Sequence, residues 1–320
     1  MRACFALALL GLGAGCGGAQ PTQAHGDLNF AVLGDAPYYA WEERRFEHLV
    51  DALDRDSLDW VIHVGDLFWK PCSAEKMRER LAVLQRIRHP VIYTPGDNEW
   101  TDCWGPREGG YAPLDRLDSL RAIYFPDPGA SLGGRRMELE TQARDSIRSR
   151  FVENRRWTAG GIVFATMHLV GSRNGRQPFE GRGPADDAEV DERTEAAAAW
   201  LRETFDRAAS EGARAVVLAT HAFTDGEYEP EYRAAYEPWL RALEEEVAGF
   251  ERPVVLFHGD DHEFVVDRPL RDRRTGEVLE NFTRVETMGS PDVGWVRVAV
   301  DTAGPAFRYQ PYRVPGWKLW

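Results

Sequence analysis

Acids and imidazoles recur at one place in this chain's pattern, directly after short apolar runs. Leu28–Leu33 is followed by Gly34-Asp35, Trp60–Val64 by Gly65-Asp66, and Val91–Thr94 by Pro95-Gly96-Asp97-Asn98-Glu99. Further on, Gly161–Met167 runs into His168, Ala215–Thr220 into His221, and Val254–His258 into Gly259-Asp260-Asp261-His262. Taken singly, an Asp after a Gly is a common turn residue, and a His beside a strand is often only hydrogen-bonded. Taken together, these are oxygen and imidazole ligand types with no matching run of Lys or Arg. Such a set needs a positive centre, and a pair of divalent cations supplies one. The chemistry of that centre is activation of water and stabilisation of developing negative charge.

The elements that must position these residues follow from periodicity. The apolar runs have strand length, and between them lie amphipathic stretches that read as helices. Trp41–Leu53 carries Phe46, Leu49, Val50 and Leu53 on one face, and Ala74–Ile87 carries Met77, Leu81, Leu84 and Ile87. Glu195–Ala208 turns Trp200, Leu201 and Phe205 inward, and Tyr232–Val247 is also helical in pattern. Pro126–Arg156 reads as a long charged excursion with a helical piece, and Gly171–Asp191 as a Gly-, Arg- and Asp-rich functional loop. The chain then finishes in short strands at Phe264–Val266, Phe282–Glu286, Trp295–Val300 and Ala306–Tyr309. This is an α/β pattern, and helical crossovers between parallel strands put all the ligand-bearing ends on one edge, where open α/β sheets bind ligands.

Length and composition bound the rest. The 320 residues are 43% hydrophobic, enough for a substantial core, and the formal charge of −13 argues against an extended nucleic-acid surface. The opening MRACFALALLGLGAGC has the layout of a secretory signal and is too short for a permanent membrane span. Residues 1–15 are expected to be a signal peptide, 16–26 a tether and 27–320 one domain. Gly13-Ala14-Gly15-Cys16 resembles a bacterial lipobox, with Gly13 where Leu is preferred. Lipidation of Cys16 with membrane attachment and simple cleavage with release both stay open. Export to the periplasm, cell envelope or medium puts the body's Cys72 and Cys103 in an oxidising compartment. One disulfide is the simplest reading, and two free thiols the alternative. Each cysteine follows an acid-bearing loop, so a bridge would staple two such loops.

In order, the blocks strand-Gly-Asp, strand-Gly-Asp, Pro-Gly-Asp-Asn-Glu, strand-His and Gly-Asp-Asp-His resemble the calcineurin-like metallophosphoesterases, a superfamily that includes the purple acid phosphatases. The resemblance runs from residue 28 to about residue 300. It implies a four-layer αββα sandwich with a dinuclear site at the carboxyl edge of the strands, and hydrolysis of small phosphomono- or phosphodiesters by a metal-activated water. Carried over, it implies one metal held by Asp35, Asp66 and His262, and another by Asp66, Asp97 or Asn98, His221 and Asp260. Pro37 stands where many members have a histidine, and Asp260 replaces the first His of the fifth block. Carboxylate-rich sets suit Mn²⁺, Mg²⁺ or Ca²⁺, imidazole suits Zn²⁺ and Fe, and Mn²⁺ is the first choice for this mixed set. Without a shift, Asn98 falls where the family has its catalytic histidine, and an amide donates a hydrogen bond but delivers no proton.

His168 is a candidate substitute for that proton donor, or else a structural histidine; Arg173 and Asn174 are candidates for binding phosphate oxygens. His63 and His258 precede ligand-bearing Gly-Asp pairs and are expected to support those loops. His25, His48 and His89 lie away from the blocks. Tyr38, Tyr39, Trp41, Phe68, Trp69, Trp100 and Trp104 follow the ligand loops and either wall a pocket for an apolar or ring-bearing leaving group, or pack the loop bases. The expected function is that of an exported metal-dependent phosphoesterase, with a non-catalytic binding protein on the same fold as the alternative.

Overall fold

The computed structural model describes residues 27–224, 230–304 and 306–315. The expected signal segment, Cys16 and the tether lie outside them.

Two sheets form. In the first, β1 (Leu28–Leu33), β2 (Trp60–His63) and β3 (Val91–Tyr93) run parallel, joined by α1 (Ala40–Arg55) and α2 (Ala74–Arg86). Residues Phe46, Leu49, Val50 and Leu53 of α1 are buried at helical spacing, as the periodicity predicts. Helix α2 starts cleanly because the Ser73 hydroxyl accepts the Lys76 N–H at 3.1 Å. Helix α3 (Pro113–Tyr124), which the periodicity did not announce, follows β3 with Pro113 in its first turn and Leu117, Leu120 and Tyr124 inward.

The second sheet is assembled from β4 (Glu140–Thr141), β5 (Arg155–Ala159), β6 (Ile162–Thr166), β7 (Ala215–Ala219), β8 (Val254–His258), β9 (Val265–Asp267) and β10 (Phe282–Glu286). Its spatial order is β4-β5-β6-β7-β8-β10-β9, with β6, β7, β8 and β10 parallel. The last strands, β11 (Gly294–Asp301) and β12 (Ala306–Arg313), return to the first sheet, giving the order β12-β11-β1-β2-β3. The ligand-bearing strand ends therefore belong to two facing sheets. Between β6 and β7 lie the one-turn α4 (Gly171–Asn174) and α5 (Pro184–Ser210); between β7 and β8 lie α6 (Pro230–Ala234) and α7 (Glu237–Phe250).

Three apolar cores make the layers explicit. One lies between the first sheet and α1, α2 and α3, another between the second sheet and α5 and α7. The third is the space between the sheets, where Phe30 stacks on Trp60 at 5.6 Å and meets Phe164 and Phe257 edge-on at 5.7 and 5.8 Å. Burying each such ring contributes about 1.5–3 kcal/mol, so the face-to-face seam is a main source of stability. The result is helix, sheet, sheet, helix.

The expected elements shift in three places. Residues 126–156 hold short β4, a 3-10 turn at Gln142–Arg144 as the helical piece, and the start of β5. Helix α5 begins at Pro184, well before Glu195, because Pro184 suits a first turn and the Asp186 carboxylate accepts the Gly183 N–H at 2.9 Å. The helical pattern at 232–247 is split into α6 and α7, with Pro238 in the first turn of α7, where its missing N–H costs nothing.

Cys72 and Cys103 form a disulfide, with Cα atoms 5.6 Å apart and a sequence separation of 31. It ties the chain after β2 to the chain after β3. Replacing both cysteines by serine is expected to lower stability by about 3–4 kcal/mol, the entropy of opening a loop of that length, and a urea titration reads it directly.

Candidate metal centre

The first, second and fifth ligand blocks are turns at the ends of β1, β2 and β8, and their geometry is costly. Asp35, Asp66, Asp260 and His262 all adopt positive φ, at 56°, 55°, 80° and 68°. Side-chain-bearing residues avoid this region, so the loops must be held there by their surroundings. Close packing of backbone on carboxylate is part of that hold. A methyl group on Gly96 would lie 1.9 Å from Asp66 Oδ1, and one on Gly171 would lie 2.1 Å from Asp260 Oδ1. Neither position admits a side chain.

Glu99 is the clamp between two of the loops. Its Oε2 accepts the N–H groups of Gly96 at 2.9 Å and Asp66 at 3.2 Å, and its Oε1 accepts that of Leu67 at 2.5 Å. The bridge lies behind the same loop, with its sulfurs 3.3 and 3.5 Å from the Asn98 carbonyl oxygen.

His221 sits at the centre. Its Nδ1–H donates to the Val64 carbonyl at 2.8 Å, which leaves Nε2 facing Asp66 Oδ1 at 3.5 Å, Asp97 Oδ1 at 3.5 Å and Asp260 Oδ1 at 3.4 Å. His262 is held the same way: Nδ1–H donates to the Ser290 carbonyl at 2.7 Å, and Nε2 lies 3.8 Å from Asp35 Oδ1. A backbone carbonyl on Nδ1 fixes the tautomer in which Nε2 is a ligand. Asp35, Asp66 and His221 converge as one group of ligand atoms, and Asp97, His221 and Asp260 as a second. His221 thus belongs to both groups, whereas the family resemblance assigned it to one.

The electrostatics of these groups call for a cation. Asp35 Oδ2 and His221 Nε2 are buried without a hydrogen-bond partner. Burial pushes the Asp35 carboxyl up to about 6, and burial with the neighbouring acids pushes Asp66 well above its usual range. Burial works against a charged His221, but Asp66, Asp260 and Asp97 outweigh it and raise its pKa. Buried like charges around an imidazole are what a bound divalent ion relieves, so the donor set fits the expected metals.

Asp97, rather than Asn98, reaches His221. Asn98 instead donates its backbone N–H to Asp66 Oδ1 at 3.1 Å and its amide to Asp66 Oδ2 at 2.5 Å, with its side chain on the cleft. Tyr38 was missed as a site residue. Its hydroxyl donates to Asp66 Oδ2 at 2.5 Å and lies 3.3 Å from His262 Nε2, next to the position left by Pro37. The aromatic blocks divide: Phe68 and Trp100 are buried packing, while Tyr38, Tyr39 and Trp69 line a cleft of about 610 Å³ together with Asp66, Asp97, Asn98, Asp260 and His262.

Three of the candidate residues make other contacts. His168 is buried, its Nδ1 3.5 Å from Glu153 Oε1 and its ring edge-on to Trp100 at 5.6 Å. Trp100 and Glu153 surround it, so it does not face the cleft as a proton donor. Asn174 is buried and its amide is spent on the fold: Nδ2 donates to Thr194 Oγ1 and the Ala235 carbonyl, and Oδ1 accepts from Arg193. Arg173 is nearer the surface, with its guanidinium 3.4 Å from Glu231 and over the Tyr232 ring at 5.3 Å. Asp102, unremarked in sequence, accepts from Ser172 Oγ at 2.8 Å, and burial beside Asp97 pushes its carboxyl up to about 8.

His63 does support its loop, accepting the Gly65 N–H on Nδ1 at 3.2 Å. Burial pushes its pKa from 6.5 down to about 3. Between those values the unfolded chain binds a proton that the native one does not, so stability falls as pH falls through this window. At pH 5 the loss from His63 is about 2 kcal/mol. A His63→Asn variant keeps an acceptor for Gly65 and is expected to show a correspondingly smaller drop in urea midpoint between pH 7 and pH 5.

Two facing sheets, covered by helices and carrying an acid and imidazole cluster where their parallel strands end, define the metallophosphoesterase sandwich. The calcineurin-like phosphoesterase family profile matches residues 28–264, and the chain belongs to that family. Among solved structures, that of PhoD is similar at 13% identity with a TM-score of 0.53, covering 91% of this chain and 72% of the other. TT1561 of Thermus thermophilus is similar at 12% identity and a TM-score of 0.48, covering 90% and 99%. A phosphatase from Mycoplasma pneumoniae follows at 13% identity and 0.43, covering 90% and 94%. No functionally curated protein matches the sequence.

Proposed function

We propose that this protein is an exported phosphoesterase that hydrolyses small phosphomono- or phosphodiesters at a dinuclear centre, with Mn²⁺ the favoured ion. The observation that carries the reading is His221 Nε2 facing carboxylate oxygens of Asp66, Asp97 and Asp260 at 3.4–3.5 Å. Asp66, Asp97, His221 and Asp260 would hold one ion, and Asp35, Asp66 and His262, with the Tyr38 oxygen beside them, the other. When bound, such a pair lowers the pKa of water and neutralises the phosphoryl oxygens.

The chain's own residues orient and bind. Asn98 and Tyr38 both donate to Asp66 and keep its carboxylate turned into the cluster. The Asn98 amide, at the cleft, is also a donor for an ester oxygen. It carries no transferable proton, so leaving groups that depart unprotonated are favoured, and a missing general acid costs roughly 10²–10⁴ in rate for the others. The Cys72–Cys103 bridge supports export to an oxidising compartment, where a single domain would follow the cleaved or lipidated N-terminus.

The test is hydrolysis of p-nitrophenyl phosphate and bis-p-nitrophenyl phosphate with added Mn²⁺. Turnover that disappears on chelation and returns with metal is expected. No turnover of either ester above background, in protein shown to contain metal, would leave the fold as a binding module.

A further inference from the structure

The mouth of the cleft carries aromatic surface that the fold does not use. Tyr39 and Trp41 are 44% and 54% exposed, and their rings lie parallel, 6° apart in plane with centroids 6.0 Å apart. Trp69 meets Tyr39 edge-on at 5.6 Å, and the Lys70 ammonium sits 3.5 Å from the centre of the Trp69 ring. Apart from the Arg45 guanidinium 5.8 Å from the centre of the Trp41 ring, these rings do not pack the helix that begins here, since α1 buries its other face through Phe46, Leu49, Val50 and Leu53. Tyr39 and Trp69 line the same cleft as Asp66, Asp97, Asn98, Asp260 and His262. Large aromatic rings left open to water beside a polar centre are suited to a ligand with one planar apolar end and one charged end.

We propose that Tyr39, Trp41 and Trp69 form a leaving-group subsite selecting phosphoesters of planar, ring-bearing alcohols, above all aryl esters. This deepens the phosphoesterase reading and rests on it for the placement of the phosphate at the acid and imidazole cluster. Asn98 points the same way, because an aryl oxygen departs without a donated proton. In the step, a water oxygen bonds to phosphorus and gives up one proton to solvent as the bond from phosphorus to the aryl oxygen breaks; the phenolate takes a proton from solvent.

Binding without chemistry separates recognition from leaving-group ability. Calorimetry in Mn²⁺ buffer with phenylphosphonate and methylphosphonate is expected to give at least about tenfold tighter binding of the aryl compound, the scale of one aromatic stack. Trp69→Ala and the surface variant Trp41→Ser are each expected to bring that ratio down several-fold with methylphosphonate binding unchanged. Trp41 is solvent-exposed, so its variant keeps the test valid if Trp69→Ala fails to fold. Equal affinity for the two phosphonates in the unaltered protein would overturn the proposal, as would equal weakening of both by Trp41→Ser. Adsorption to phosphatidylglycerol vesicles that needs Trp41, with no aryl preference, would assign the rings to a membrane surface and also overturn it. An intact aryl preference with no hydrolysis of any ester would uphold the subsite and remove the phosphoesterase reading. Hydrolysis with equal KM for aryl and alkyl esters and no aryl preference in binding would do the reverse.

Discussion

His221→Ala is expected to lower metal-dependent phosphoester hydrolysis on the order of 10³-fold or more. Loss of an outer support for a metal ligand already costs 10–100-fold, and His221 belongs to both groups of converging ligand atoms. Metal analysis should show fewer than two ions per chain. Among its hydrogen bonds the alanine leaves the Val64 carbonyl without its donor, at about 1–3 kcal/mol, and it removes the imidazole that faces Asp66, Asp97 and Asp260, so folding of the variant is checked by circular dichroism. Asp66→Asn is the companion variant: it removes the acid that His221 Nε2, Asn98 and Tyr38 all address. Retained metal content and retained turnover in both variants would dismiss the dinuclear reading.

Stripping the metal is expected to reduce thermal stability by several degrees, restored on adding Mn²⁺. An ion held at a hundred times its Kd contributes about 2.7 kcal/mol, or about 4 °C for a protein of this size. The pH dependence of that gap follows from Asp35. Its folded pKa of about 6 in the metal-free protein lies above the 3.8 of an unperturbed Asp. Between those values the folded state binds the extra proton, so metal-free stability declines as pH rises from near 4 to near 6. A bound cation removes the cause of that decline. The difference in Tm between loaded and stripped protein should therefore widen over the same window, with the raised Asp66 and His221 groups continuing the widening above it, and a thermal series from pH 4.5 to 7.5 reads it. The His63 contribution is common to both forms and cancels.

The ligand blocks were legible because each is local: an apolar run, a Gly and an acid or His a few residues apart. Nothing in that pattern says which strands pair, and the return of β11 and β12 to the first sheet depends on contacts between distant segments. Resemblance to a family supplied the layered sandwich, which periodicity alone could not. Site details failed where direction mattered more than type. His168 and Asn174 carry suitable chemistry near a strand end, yet packing by Trp100 and α5 turns both inward. Tyr38 was hidden among neighbouring aromatic residues; its signal was a hydroxyl three residues after Asp35, directly following the proline that replaces a histidine. Apolar periodicity starts α5 too late because its first turns are acidic and lack large apolar residues, although Gly183-Pro184 followed by Asp186 is a start signal.

The left-handed backbone at Asp35, Asp66, Asp260 and His262 places function and durability in opposition. Glycine is the residue best suited to those conformations, and each carboxylate there also adds to a buried like-charge cluster. A metal-free Asp260→Gly protein should accordingly be harder to melt than its parent while binding metal less well. Selection for robustness alone would erode these positions toward glycine. Their presence as side-chain-bearing ligands means that the native sequence carries a standing mechanical load, which the Glu99 clamp and the occupied centre together offset.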